Sequence, residues 1–232
     1  IGDQPAPAPG PGEVLVRLRT SGINPSDVKK RAGSSPTLLD QGLVIPNSDG
    51  AGVIEAVGKG VPKSRIGERV WIYQAQHGRR FGTAAEYVAI DARRAALLPD
   101  QAGFDVGACL GIPAMTAHRC VFADGPVERQ TVLVTGGAGR VGYYAIQWAK
   151  SAGARVIATA SKPEDERTCR ESGADAVVNH REPGWGERVK SVNGGQPVDR
   201  VVEVEFGGNL PEVLQCIRVS GTIATYSSMQ VP

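Results

Sequence analysis

The 232-residue chain sets 26 Lys and Arg against 24 Asp and Glu, a formal net charge of +2, and the balance holds in both halves (13 basic to 11 acidic in 1–116, 13 to 13 in 117–232). Neither half carries the charge field that nucleic-acid binding needs. No apolar run is as long as a membrane span and the opening I-G-D-Q-P-A-P-A-P-G-P-G lacks the basic and apolar segments of a signal peptide, so a soluble, cytoplasmic protein is expected.

In chain order, 12–20, 53–57, 69–73 and 84–90 read as short strands with partial alternation, separated by clusters of Gly, Pro, Asp and Ser. That describes a compact, mostly β domain with long loops. The texture changes near 99–111, where 104–110 begins a more helical stretch. A boundary there divides the chain into domains 1–108 and 109–232, each of ordinary size. Cys109, Cys120, Cys169 and Cys216 form no C-x-x-C pair, which argues against a disulfide framework and a structural zinc site.

The second half opens on its most informative segment. A buried strand at 132–134 runs into a glycine turn and then a helix at 143–152, with Gly137, Gly139 and Gly142 at the spacing G-x-G-x-x-G. This spacing permits a tight turn, close backbone approach to a pyrophosphate, and tight packing of helix on strand. Free N–H groups at the helix start would hold the phosphates. Next come a strand at 154–160, a helix at 164–172, a strand at 176–179, a helix at 186–192, a strand at 199–204, a helix at 209–219 and a strand at 222–226. Such alternation predicts a parallel, doubly wound sheet whose ligand lies at the carboxyl ends of the strands.

The residues just past those ends are Ser161, His180, the segment 205–209 and Tyr226 to Ser228. After the second strand of a dinucleotide fold, an acidic residue accepts hydrogen bonds from the adenosine ribose and repels a 2′-phosphate. Ser161 and Lys162 stand there instead, which favours NADPH over NADH, although Lys162 reads equally as a solvated lysine at a helix start. His180 fits a cofactor contact or a surface histidine closing a strand end.

Six landmarks of the first half, G-E-V-L-V-R (12–17), S-G-I-N-P-S-D-V-K-K-R-A-G (21–33), I-P-N-S-D-G-A-G-V-I-E-A-V-G (45–58), R-I-G-E-R-V (65–70), G-T-A-A-E-Y-V (82–88) and G-I-P-A-M-T-A-H (111–118), are followed by V-L-V-T-G-G-A-G-R-V-G, A-T-A-S-K and N-H-R-E (179–182). In this order they resemble the medium-chain dehydrogenase/reductases, and within them the zinc-independent quinone oxidoreductase (zeta-crystallin-like) branch. The resemblance implies an α/β protein in which a GroES-like, mostly β catalytic domain precedes a doubly wound parallel Rossmann domain that binds NADP.

In the zinc enzymes of the superfamily a cysteine, a histidine and a second cysteine bind the catalytic metal. The matching positions here are Asn24, Ser48 and Ile112, which cannot make a zinc site. Without a Lewis acid an alcohol is hard to activate, whereas an electron-poor quinone or conjugated enone accepts hydride with modest help. The expected reaction is therefore metal-free hydride transfer from NADPH to such an acceptor. The alternatives are an alkenal or enoyl reductase of the same superfamily, or a non-catalytic, crystallin-like NADPH-binding protein.

Asn24 is the first choice for a side chain near nicotinamide and substrate, donating to the developing oxyanion, and it also reads as a turn former before Pro25. Asp27 would orient that loop, cap it or donate a proton. Thr116 lies where the family places a residue beside the carboxamide, or bonds its own helix backbone. Tyr73 lines the cleft or is a plain strand aromatic. By resemblance, Gly137, Ala138, Gly139, Arg140 and Val141 carry the pyrophosphate, Ser161, Lys162 and His180 the adenosine end, and Asn209, Tyr226, Ser227 and Ser228 the central and nicotinamide parts. Arg140 stands where relatives usually have glycine, so it adds a phosphate contact or points to solvent. Around Ser34 and Ser35 there is no counterpart of a tyrosine that some relatives have near the cofactor. Relatives also begin with an earlier strand and continue past Val231-Pro232 with a sixth Rossmann strand, so a truncated or incomplete chain is expected, and a homodimer or homotetramer for the full-length protein.

Overall fold

The computed structural model describes residues 2–40 and 42–229, so the expected stop at Val231-Pro232 lies outside them. The chain divides into two units, the first running through Ile112 and the second starting at Pro113. Residues 109–112 therefore belong with the first unit, where the Ile112 amide is tied to the Asp49 carboxylate.

The first unit contains β1 (Glu13–Gly22), α1 (Pro25–Lys29), the short α2 (Pro36–Leu39), β2 (Asp49–Val57), β3 (Arg69–Ile72), β4 (Tyr87–Asp91), β5 (Ala95–Leu97) and α3 (Phe104–Gly107). Its five strands pair antiparallel in the order β4-β1-β2-β3-β5. Alternate residues point to one face, so Val14, Val16, Ile54, Val70, Ile72, Val88 and Ile90 gather into one buried cluster.

Several expected strand bounds move, for local reasons. Strand β2 starts at Asp49 rather than 53, because Gly50 and Gly52, which read as turn residues, extend the pairing with β1. A Cβ on Gly52 would run into the Arg17 carbonyl and come within 2.9 Å of Leu18 Cα. Residues 84–86 precede β4 instead of opening it; the chain from Gly82 to Ala84 bonds back to Ile45, Pro46 and Asn47. Tyr73, expected to end a strand, follows β3. Strand β5 and helices α1 and α2 were not anticipated, since each is at most five residues long.

The second unit opens with α4 (Met115–Phe122) and then alternates: β6 (Thr131–Val134), α5 (Arg140–Ser151), β7 (Arg155–Ala160), α6 (Pro163–Glu171), β8 (Ala176–Asn179), α7 (Trp185–Val192), β9 (Val198–Glu203), α8 (Phe206–Cys216) and β10 (Ile217–Thr225). The strands are parallel in the order β10-β9-β6-β7-β8, the doubly wound arrangement. The sheet is covered on both faces, which is why its strands read as continuous apolar runs. Val132, Val134, Val156 and Ala158 pack with α4, α5 and Cys169 of α6. Leu133 and Ile157, one residue out of phase, pack with Trp185, Val189, Val213 and Cys216 on the other face. The helix expected over 209–219 is corrected to end at Cys216: Ile217 turns extended (φ −82°, ψ 143°) and pairs with Val198, and its branched side chain suits the sheet.

Candidate active site

In the first unit the site grows from the end of β1. Gly22 leaves the sheet, Pro25 occupies the first position of α1, and Asn24 caps it in extended conformation (φ −119°, ψ 159°). The Asn24 backbone N–H donates to Asp27 Oδ2 at 2.9 Å, so Asp27 takes the capping role among its three expected ones. The Asn24 side chain does more than turn the chain. Its Nδ2 donates to Asp49 Oδ2 at 2.8 Å, and the Ile112 amide donates to the same oxygen at 2.7 Å.

Asp49 therefore lies at the focus of the three positions that match the metal ligands of zinc enzymes: Asn24 and Ile112 donate to it and Ser48 precedes it. Among the described residues no three His, Cys, Asp or Glu side chains cluster to hold a metal ion. Asp49 is wholly buried and its Oδ1 has no hydrogen-bond partner among the described residues. Burial pushes its carboxyl up from 3.8 to about 6; the Ile112 amide and the Asn24 amide pull it down and the charge of Asp27 pushes it up. Gly111 is required beside it, because a Cβ there would collide with Oδ1.

A relay of polar side chains fixes the backbone of Asp49. Thr83 Oγ1 donates to the Asp49 carbonyl at 2.5 Å, so its single hydrogen is committed and Ser21 Oγ must donate to Thr83 across 2.9 Å. Asn47, in left-handed conformation (φ 73°), donates in turn to Ser21 Oγ at 2.9 Å. Asp49, Asn47, Ser21 and Thr83 were not singled out from the sequence. The one available signal was a carboxylate opening a strand whose next residues are apolar or glycine. Tyr73 is placed differently: its hydroxyl donates to the Arg93 carbonyl at 2.9 Å and its ring leans on Trp71.

In the second unit the glycine turn joins β6 to α5. Gly136, not among the three glycines of the motif, takes the left-handed conformation (φ 60°) that the turn requires. Gly137 and Gly142 serve packing: a Cβ on Gly137 would lie 2.7 Å from Cys169 Sγ, and one on Gly142 would strike the Gly136 carbonyl. Gly139 caps α5 and faces open space apart from the Gly136 oxygen at 3.1 Å, leaving the N–H groups of the first turn approachable. Ala138 and Val141 are half-buried beside it. Arg140 is exposed at the first position of α5, where a cation opposes the helix dipole, and makes no hydrogen bond or ion pair with the described residues.

Ser161 and Lys162 follow β7. Lys162 caps α6, and its ammonium stands 4.0 Å from Glu164. His180 follows β8 with Nδ1 buried and, among the described residues, unpartnered; burial above all, then the charge of Arg181, lowers its pKa. Asn209 Nδ2 donates at 2.8 Å to Glu203, a buried carboxylate ending β9 whose Oε2 has no partner. The Ser227 carbonyl accepts from the Phe206 amide at 3.3 Å, and Ser228 Oγ accepts from the Gly207 amide at 3.1 Å. The Tyr226 hydroxyl is pushed upward by burial and stays protonated. Thr116 is half-buried on α4.

Comparison with known proteins agrees with the two-unit fold. Residues 10–100 match the alcohol dehydrogenase GroES-like domain and residues 141–232 the zinc-binding dehydrogenase family. The human quinone oxidoreductase is 32% identical over 229 residues, covering 97% of this chain and 68% of that protein. The chain spans 66% of the rat relative, just under two thirds of its length. Among solved structures, an NAD-dependent alcohol dehydrogenase superposes with a TM-score of 0.88 at 32% identity, over 100% of this chain and 75% of that one. The Escherichia coli quinone oxidoreductase complexed with NADPH gives 0.82 at 28% identity, over 100% and 69%.

Proposed function

The chain belongs to the quinone oxidoreductase family of medium-chain dehydrogenase/reductases, and we propose that it is an NADPH-dependent reductase of quinones or conjugated enones, working without a metal. The observation that carries this reading is the Asp49 centre. At the positions where zinc enzymes have ligands, the Asn24 and Ile112 donors are spent on a buried carboxylate.

The residues of the second unit fit the cofactor. The open first turn of α5 and the unpartnered Arg140 suit a pyrophosphate. The exposed ammonium of Lys162 suits an adenosine phosphate, and the His180 ring after β8 the adenosine end. When bound, NADPH would supply a hydride to the acceptor. The Asn24 amide has two N–H groups. One is fixed on Asp49, which orients the other as a donor for the oxyanion that forms as the acceptor takes the hydride. A proton from water completes the hydroquinone or saturated carbonyl. The protein would act as a homodimer or homotetramer on a small-molecule substrate, to be read out by light scattering.

The test is oxidation of NADPH and NADH with 9,10-phenanthrenequinone and with a simple alkenal, on chelator-treated protein. NADPH-selective quinone turnover that survives chelation is expected. Turnover of the alkenal alone would favour the enoyl reductase reading. Cofactor binding with no turnover of either would leave the crystallin-like reading.

A further inference from the structure

A cavity of about 540 Å³ lies within the first unit, bounded by the end of α1, the turn around α2 and the loop after β3. Its volume falls in the range of roughly 300–1,000 Å³ typical of small-molecule sites. Among the described residues its lining includes the basic side chains of Lys30, Arg79 and Arg80 and no carboxylate. The nearest acid to Arg79 in an ion pair is Glu13, at 4.0 Å.

The Lys30 ammonium is held by construction. Gln76 is buried, and its Nε2 donates to the Ile45 carbonyl at 3.1 Å, which leaves Oε1 to accept from Lys30 Nζ at 3.2 Å. That network settles which end of the amide faces the lysine. A neutral acceptor fixes the ammonium without cancelling its charge, and two of its three N–H groups remain for a ligand. Arg79 is anchored at 2.6 Å on the Ala89 carbonyl, and Arg80 lies over the Phe81 ring. Leu38 supplies an apolar wall. Lys30 follows Asn24 by six residues along α1, a rise of roughly 9 Å, comparable with the span of a fused two- or three-ring acceptor.

We propose that this cavity is an acceptor subsite for the anionic group of a substrate, so that the preferred acceptor is a conjugated quinone or enone bearing a carboxylate or an equivalent acid. The carboxylate would rest against the Lys30 ammonium, with the reducible carbonyl directed toward Asn24. This inference rests on the reductase reading for its chemistry, but the cavity can be probed by binding alone.

Two measurements keep the readings apart. Kinetics would compare 9,10-phenanthrenequinone with its 2-carboxylate, using NADPH. Calorimetry without cofactor would compare 2-naphthoate with 2-naphthylmethanol. The carboxylated quinone is expected to win by about tenfold in kcat/KM, and naphthoate to bind where the alcohol does not, with affinity falling as salt is raised. In Lys30→Gln the preference ratio should collapse to about one and naphthoate binding should be lost, while Lys30→Arg should retain both. Equal use of the two quinones with no naphthoate binding would overturn the subsite and leave the reductase intact. Lys30-dependent naphthoate binding with no turnover of either quinone would uphold the subsite and remove the reductase reading.

Discussion

The glycine turn after β6 and the Asp49 centre both concentrate polar groups, yet they are built by opposite means. The turn is local: twelve consecutive residues from Thr131 to Gly142 make the strand, the bend and the helix start, and what they offer is bare backbone. The Asp49 centre is assembled from residues 21–24, 47–49, 83 and 111–112, and what it offers is an amide aimed by a buried carboxylate. A local device fails when its chain geometry is disturbed, whereas a dispersed one fails when a partner is removed. The two should therefore answer differently to substitution.

The largest effect is expected in the turn. Gly142→Ala places a Cβ against the Gly136 carbonyl and 2.9 Å from Gly137 Cα, so stability should fall by about 2–3 kcal/mol and NADPH affinity by at least about 10²-fold, read by urea unfolding and fluorescence titration. Gly139→Ala sharpens the point, because its Cβ meets only the Gly136 oxygen at 3.1 Å. It should weaken NADPH binding while stability stays within about 1 kcal/mol of the parent. Equal stability losses in the two variants would contradict the division between packing glycines and a ligand-facing one.

At the Asp49 centre the sharpest readout is pH. A carboxyl raised from 3.8 to about 6 binds its proton more tightly folded than unfolded, so the folded state is favoured below about pH 4 and loses that advantage as pH rises through 6. The loss amounts to about 3 kcal/mol by pH 7. Asp49→Asn removes the titration, so the stability difference between parent and variant should change by that amount between pH 3.5 and 7.5. A flat difference would show that Asp49 titrates normally.

Asn24→Ala tests the donor. It should lower kcat by about 10²-fold with little change in NADPH affinity, and cost about 1–3 kcal/mol of stability because the Asp49 carboxylate loses a partner. An unchanged kcat would remove Asn24 from the chemistry. The smallest effect belongs to Lys162→Ala, whose exposed ammonium should contribute about tenfold to the preference for NADPH over NADH; an unaltered ratio would end the assignment of Lys162 to the 2′-phosphate.

The second unit was legible because its signals are contiguous. Apolar runs buried on two faces, glycine at a strand-to-helix turn and a closing glycine such as Gly153 announce themselves within a window of a few residues, and the strands at 132–134 and 176–179 lie within or on the observed ones. The helix at 209–219 overran because a Val and an Ile at its end suit a helix pattern as well as a strand, and only pairing with Val198 decides. In the first unit Gly50 and Gly52 concealed the start of β2, since a glycine tolerated for close approach to β1 looks the same in sequence as one that turns the chain. Asn24 was legible through its motif. Asp49 was not, because its importance lies in what points at it.

The sequence by itself determined the elements whose causes are local: the glycine turn at a helix start, the alternating β and α units, and the absence of ligand-type side chains at Asn24, Ser48 and Ile112. The tertiary structure decided the rest. Only folding brings the Ile112 amide, sixty-three residues away, onto Asp49, withdraws that carboxylate from water and lifts its pKa, and gathers Lys30, Arg79 and Arg80 around one cavity with no acid among its described walls. Desolvation and charge proximity depend on distance in space, and a chain's order records that distance only where the contacts are near neighbours.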